Sequence, residues 1–199
     1  MNRRTIYVVL ALIVVLAAAA IYELTKPIAF YGTLIQPPKP MADFTLQSVN
    51  GPVKLSDFHG KYAVIYFGYT SCPDVCPTTL AKLNAALGKL ESKDASQVQV
   101  IFVSVDYKRD TPESVASYTR NFSPNFIGLS GTQEQIDQAT QEFGIYYKLD
   151  DPDPKTGYYA VEHTATILVL NRQGDLVMTW TDFQPDEMTS DLKILLGKY

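Results

Sequence analysis

Hydrophobic and polar positions divide the chain into three stretches. From Ile6 to Tyr22 every residue is apolar or small (IYVVLALIVVLAAAAIY), with Arg3 and Arg4 ahead of the run and Glu23 closing it. A helix over this run is about 26 Å long, close to the hydrocarbon thickness of a bilayer. Residues 23–41 carry Pro27, Pro37, Pro38 and Pro40, which block helix and interior strand and predict an extended linker. From Asp43 the periodicities of an ordinary domain begin. FTLQSV, Asn50-Gly51 and PVKLSDF predict a hairpin, because Asn-Gly suits the tight turn.

The continuous apolar run Ala63–Phe67 predicts a strand covered on both faces. Leu80, Leu83, Leu87 and Leu90 then recur at helical spacing, behind Pro77 at a helix start. Val98–Val105 reads as the next strand, 111–122 as a helix through Val115, Tyr118 and Phe122, and 126–129 as a short strand. A helix over 132–143 follows, then strands at 145–149 and 158–161 around the turn-rich DDPDPKTG. A second hairpin spans 164–170 and 175–180, and a last helix covers 186–196. This order predicts one α/β domain over 42–199, with a mixed central sheet and helices on both faces.

The leading run is either a retained anchor or a cleaved signal, since Ala17–Ala20 offers small residues for processing. The run exceeds the usual signal core, so the expectation is a single-pass anchor over 6–22 with residues 1–5 in the cytoplasm. Arg3 and Arg4 then direct the domain outward, which we read as the periplasmic side of a bacterial inner membrane. No Arg- and Ser-rich presequence precedes the run, which disfavours a mitochondrial address.

Composition changes the picture in two places. A net charge of −4 argues against a nucleic-acid partner, which calls for a basic stripe. With 2 Cys, 2 His and 4 Met, any metal site has few soft or nitrogen ligands to draw on. Both cysteines fall in Cys72-Pro-Asp-Val-Cys76, between a buried strand and a helix N-terminus. A disulfide there closes so short a loop that it removes little chain entropy, which makes a structural staple a poor explanation. Unpaired amides at the helix start favour a thiolate. The pair can close a disulfide, exchange disulfides, or share a metal ion.

His163, in Val161-Glu162-His163-Thr164, precedes the apolar run ATILVL. If that strand lies beside the one ending at Phe67, His163 comes close to the cysteines; otherwise it is an ordinary hydrogen-bonded histidine. Two thiolates and one imidazole fall short of the four ligands of structural zinc. They suit Cu(I), and the imidazole also tolerates Cu(II). His59, in SDFHG, reads as solvated. Asp74 either tunes the thiols or is solvated, and in DYKRDTPE (106–113) Asp110 or Thr111 reads as a helix cap, with docking or redox tuning as the alternative. Tyr146, Tyr147, Tyr158 and Tyr159 pack a projecting hairpin or face a partner.

FGYTSCPDVCPTTL (67–80), VSVDYKRDTPESV (103–115) and VEHTATILVLNRQG (161–174) together resemble the Sco family (Sco/SenC/PrrC-type proteins), in order over roughly residues 30–199. The resemblance implies a thioredoxin-like fold on a membrane anchor. It implies a copper chaperone for the binuclear copper site of cytochrome c oxidase, whose partners are the oxidase's copper-carrying subunit, an upstream copper donor and a thiol reductant. Some members act as thiol:disulfide oxidoreductases, which would make Cys72 and Cys76 a redox dithiol. The family's metal ligands fall on Cys72, Cys76 and His163; Glu162 stands where an Asp is common, with the charge kept. Val75-Cys76-Pro77-Thr78 also looks like part of a peroxiredoxin site, but Pro73 stands where that chemistry needs a threonine. Plain thioredoxin-like reduction prefers C-x-x-C, one residue shorter.

Overall fold

The computed structural model describes residues 2–25 and 29–197; residue 1 of the expected cytoplasmic N-terminus, residues 26–28 of the expected linker and residues 198–199 of the expected domain lie outside them. The apolar run forms helix α1 (Arg3–Thr25), longer at both ends than the run itself. Arg3–Tyr22 is long and apolar enough to cross a membrane, and its described side chains are exposed.

A six-stranded mixed sheet follows. Its strands are β1 (Thr33–Lys39), β4 (Tyr62–Gly68), β5 (Val98–Ser104), β6 (Ile127–Leu129), β9 (Ile167–Leu170) and β10 (Leu176–Trp180), in the order β1-β10-β9-β4-β5-β6. β4, β5 and β6 run parallel; β9, β10 and β1 add antiparallel neighbours. The hairpin of β2 (Thr45–Ser48) and β3 (Gly51–Lys54) turns through Val49-Asn50, one residue earlier than the Asn-Gly pattern predicts, with Gly51 opening β3 at φ 112°, and a 3-10 turn (Leu55–Phe58) leads from it to β4. The second small sheet pairs β7 (Tyr147–Leu149) with β8 (Val161–His163).

Alternation along β4 divides the helices between two faces. On one face lie α2 (Val75–Leu87), α4 (Pro112–Arg120) and α6 (Pro185–Leu195): Tyr66 reaches Cys76 of α2, Phe102 stacks on Tyr118 of α4, and Thr189 of α6 donates to the Ala86 carbonyl of α2 at 3.0 Å. On the other lies α5 (Gln133–Phe143), whose Phe143 packs on Phe67 and Phe44. A one-turn helix α3 (Ser92–Ala95) precedes β5. The mixed sheet with helices on both faces is the expected architecture.

Three local expectations change. Residues 33–39, read as linker, form edge strand β1, because an edge tolerates proline and the register shifts between Leu34 and Lys39, across Pro37 and Pro38. Asp191 of α6 anchors the entry to β1, accepting from the Tyr31 and Gly32 amides (2.9 and 2.8 Å) and from Trp180 Nε1 (2.9 Å). Leu90 lies beyond the end of α2 yet is buried. His163 ends β8 in the small sheet, and Thr164–Thr166 separate it from β9.

Candidate metal centre

Cys76 sits in the first turn of α2 and Cys72 in the loop before it, so the free amides of a helix start face the sulfurs. The Cys76 amide donates to Cys72 Sγ at 3.4 Å. Burial pushes the Cys72 thiol up, but donors from the Cys76 and Asp74 amides and from the Cys76 and Tyr69 side chains outweigh it and leave its pKa below the ordinary value. Cys76 is fully buried, and burial pushes its thiol up to about 12, against donors from the Tyr69 amide and the Tyr66 hydroxyl. At neutral pH the loop therefore holds one thiolate-prone sulfur at the mouth and one protonated sulfur beneath it. Both thiols are free.

Gly68, at the end of β4, makes room for this. A Cβ there would stand 2.8 Å from Cys76 Sγ and 2.7 Å from the Phe102 ring. Thr70 starts the loop and is tied to the buried Asp110 through its amide (2.8 Å) and hydroxyl (2.6 Å).

His163 arrives from the other side. β9 does run beside β4, with Ile167 opposite Tyr66, and this brings the end of β8 over the cysteine loop. Its Nε2 lies 3.6 Å from Cys76 Sγ. The Thr164 carbonyl lies 3.2 Å from Nδ1, a partner that only a protonated Nδ1 satisfies, so Nε2 keeps its lone pair toward the sulfurs. Burial holds the imidazole pKa below its ordinary value, which keeps the ring neutral. Tyr66 and Tyr69 meet the ring edge-on, with centroids 6.1 and 5.8 Å away, and the Tyr66 hydroxyl donates to Cys76 Sγ at 3.6 Å.

The two sulfurs and the histidine nitrogen all lie within 4.8 Å of one another. An ion bonded to sulfur at ~2.3 Å and to nitrogen at ~2.0 Å draws its ligand atoms to within about 4.6 Å, so the cluster fits a soft metal with little closure. Cys72, Cys76 and His163 are thus brought together. His59 is not: it is exposed and lies against Gly174, where a Cβ would meet its Nε2 at 2.7 Å. Asp74 is exposed. Thr111 is the α4 cap, accepting from the Ser114 amide at 3.2 Å, while Asp110 serves Thr70 instead. The tyrosine group divides: Tyr147 and Tyr159 pack inward, Tyr146 and Tyr158 are 57% and 54% exposed. Sequence reasoning missed Tyr66, Tyr69 and Gly68. The apolar strand pattern hides them, because nothing in it separates a strand residue aimed at a site from one aimed at the core.

A mixed sheet flanked by helices, with a dithiol where its central strand meets a helix and a histidine closing over it, defines a thioredoxin-like protein with a Cys-Cys-His cluster. The chain belongs to the SCO1/SenC family, whose model matches residues 33–197. Among curated relatives it is 36% identical to a SCO2-like protein of Rickettsia conorii over 156 residues, 76% of this chain and 74% of that one. It spans about half the length of fungal and mammalian Sco relatives that it also matches. Among solved structures, apo Sco1 of Thermus thermophilus is 44% identical with a TM-score of 0.75, covering 84% of this chain and 97% of that one. ScoI of Bradyrhizobium japonicum, solved with copper bound, is 38% identical with a TM-score of 0.71, over 78% and 98%.

Proposed function

We propose that this chain is a membrane-anchored copper carrier. Cys72 and Cys76 bind one copper as thiolates, and His163 Nε2 is the third ligand. The observation that carries this reading is the convergence of the three donor atoms within 4.8 Å, with Nδ1 turned to the Thr164 carbonyl and Nε2 to the Cys76 sulfur. The copper-bound Bradyrhizobium relative supports the choice of metal. The raised Cys76 pKa gives the binding step its proton balance, since copper must displace the proton from that sulfur. An open, three-ligand set releases its cargo by ligand exchange more readily than a closed tetrahedral one. With α1 as a single-pass anchor in the inner membrane and the domain in the periplasm, the recipient is the copper-carrying subunit of cytochrome c oxidase. A copper donor and a thiol reductant act upstream, because a Cys72–Cys76 disulfide has no thiolate left to bind with.

Anaerobic titration of Cu(I) into the reduced full chain in detergent micelles, beside His163→Ala, tests the carrier. One equivalent held tightly and clearly weakened by the substitution is the expected result. Equal and weak binding by both overturns it.

A second reading, thiol:disulfide exchange with a protein partner, has its own support in the partly exposed, lowered-pKa Cys72 above a buried partner thiol. Such a reductase keeps its activity in His163→Ala. Iodoacetamide at neutral pH should modify Cys72 and leave Cys76 unmodified; equal modification of both removes the support for this reading.

A further inference from the structure

The segment between β5 and α4, Asp106-Tyr107-Lys108-Arg109-Asp110, supplies no sulfur or ring nitrogen to the cluster, yet it touches both regions that do. At one end Asp110, 5% exposed, holds the cysteine loop through the Thr70 amide and hydroxyl and is itself held by the Ser104 hydroxyl at 2.5 Å. At the other end Asp106, fully buried, accepts from the Tyr159 hydroxyl at 2.7 Å and pairs with Arg109 Nε. Arg109 in turn donates from Nη1 to the Tyr159 carbonyl at 3.0 Å and stacks its guanidinium 3.7 Å from the centre of the Tyr159 ring. Tyr159 is thus held by its ring, its hydroxyl and its carbonyl, four residues before His163.

The two ends of the segment are locked to each other. The amides of Arg109 and Asp110 both donate to the Asp106 carbonyl, at 3.2 and 2.9 Å, and the Asp106 amide donates to Ser104 Oγ at 3.1 Å, on the last residue of β5. Thr111 then caps α4. The histidine hairpin needs such a hold. β7 and β8 share three register pairs and, among the described residues, join no other strand, and a two-stranded sheet alone is marginal in water. Tyr147 adds further attachments, to Asp137 of α5 through its hydroxyl at 2.5 Å and to the Tyr107 ring at 6.4 Å between centroids. Tyr107 also belongs to the segment. Arg109 Nη2 is buried with no hydrogen-bond partner among the described residues, so the guanidinium is not placed to satisfy all its own donors.

We propose that residues 106–110 are the frame that sets the spacing between the dithiol and the imidazole, with Asp106 and Arg109 as positioning residues that act on His163 through Tyr159. A planar guanidinium gripping a carboxylate, a carbonyl and an aromatic face at once is work a lysine cannot do. Groups that hold a metal ligand decide the geometry it presents, and this segment acts a link further out, through Tyr159 and the strand that leads from it to His163.

The inference rests on the copper reading for one of its two tests and is independent of it for the other. In the metal-free full chain in micelles, nuclear Overhauser contacts from the His163 ring to the Tyr66 and Tyr69 rings report the frame directly. Arg109→Gln and Tyr159→Phe should each weaken these contacts, while the alkylation rate of Cys72 stays that of the wild type. With Cu(II) added, the nitrogen hyperfine signature should move toward that of His163→Ala, and Cu(I) affinity should fall about 10- to 100-fold. Wild-type ring contacts in both variants overturn the proposal. If Arg109→Gln does not fold, Tyr159→Phe decides alone, and unchanged contacts there also overturn it. If the wild type binds no copper, the carrier reading falls, and the ring contacts still decide the frame.

Discussion

The two regions that meet at the candidate metal centre are built to different standards. The cysteine side belongs to the centre of the domain. β4 is paired along its whole length with β5 and over Ala63–Tyr66 with β9, its residues from Ala63 onward are buried, and Cys76, in the first turn of α2, faces the sheet with no exposure. The histidine side is an outgrowth. β7 and β8 form a separate two-stranded sheet whose position depends on a few side chains, Tyr147 and Tyr159 above all. Close packing gives the Cys76 sulfur a position that cannot shift without repacking the core. The imidazole is held by polar and aromatic contacts that can be lost one at a time. Changes on the first side should therefore register as stability, and changes on the second as geometry.

The largest effect should come from Cys76→Ala, which removes the buried sulfur and should abolish stoichiometric Cu(I) binding in competition with a chromophoric chelator. Retained one-to-one binding would mean that the core side is not the foundation of the site. Gly68→Ala probes packing without touching a donor atom. The new Cβ stands 2.8 Å from Cys76 Sγ and 2.7 Å from Phe102, and overpacking of this kind costs about 1–3 kcal/mol. A clear drop in melting temperature is expected, and an unchanged one would show that this strand end yields.

The buried thiol also predicts an alkaline limb. With its folded pKa raised from 9.0 to about 12, the unfolded chain loses the Cys76 proton first, so stability falls as pH rises between those values. The slope from this group is at most about 1.4 kcal/mol per pH unit, and it should vanish from the denaturation profile of Cys76→Ala. His163 works in the opposite direction. Burial lowers its pKa from 6.5, so its contribution is present above that value and is lost as pH falls toward the folded pKa. The stability difference between wild type and His163→Gln should shrink below pH 6.5 and stay level above it.

The smallest effect belongs to the outgrowth. Gly157, at φ 71° with open space around it, costs about 1 kcal/mol as Ala. The response should be faster amide exchange confined to residues 147–163, with the global melting temperature unchanged. A global shift would show that the hairpin and core unfold as one unit, against the contrast drawn above.

Legibility followed the same division. Regular periodicity exposed β4, β5, α4, α5, α6 and the β9–β10 hairpin, because each buries one consistent face or lies wholly inside the core. The Cys72–Cys76 pair was legible from its spacing and from Pro77 at a helix start. Strand β1 was not, since its prolines spoke for a linker and only the presence of a free edge on β10 makes a strand of them. Asp110 read as a cap because capping is a local role visible in the order of residues. Its bonds to Thr70 span 40 positions and have no local mark. Tyr66 looked like core filling for the same reason.

The order of residues alone determined the kind of chemistry and the general architecture. An apolar leading run, two thiols four positions apart, a late histidine and alternating strand and helix periods are properties of the chain itself. Tertiary structure decided what those groups do together. It set the unequal acidity of the two thiols, because one is sealed between its own helix and the sheet and the other lies at the mouth. It brought His163 Nε2 to 3.6 Å from Cys76 across a separation of 87 positions, and it selected the tautomer through the Thr164 carbonyl. Burial, hydrogen bonding and distance are properties of neighbours in space, and for these groups the neighbours come from strands and loops that are far apart in the chain.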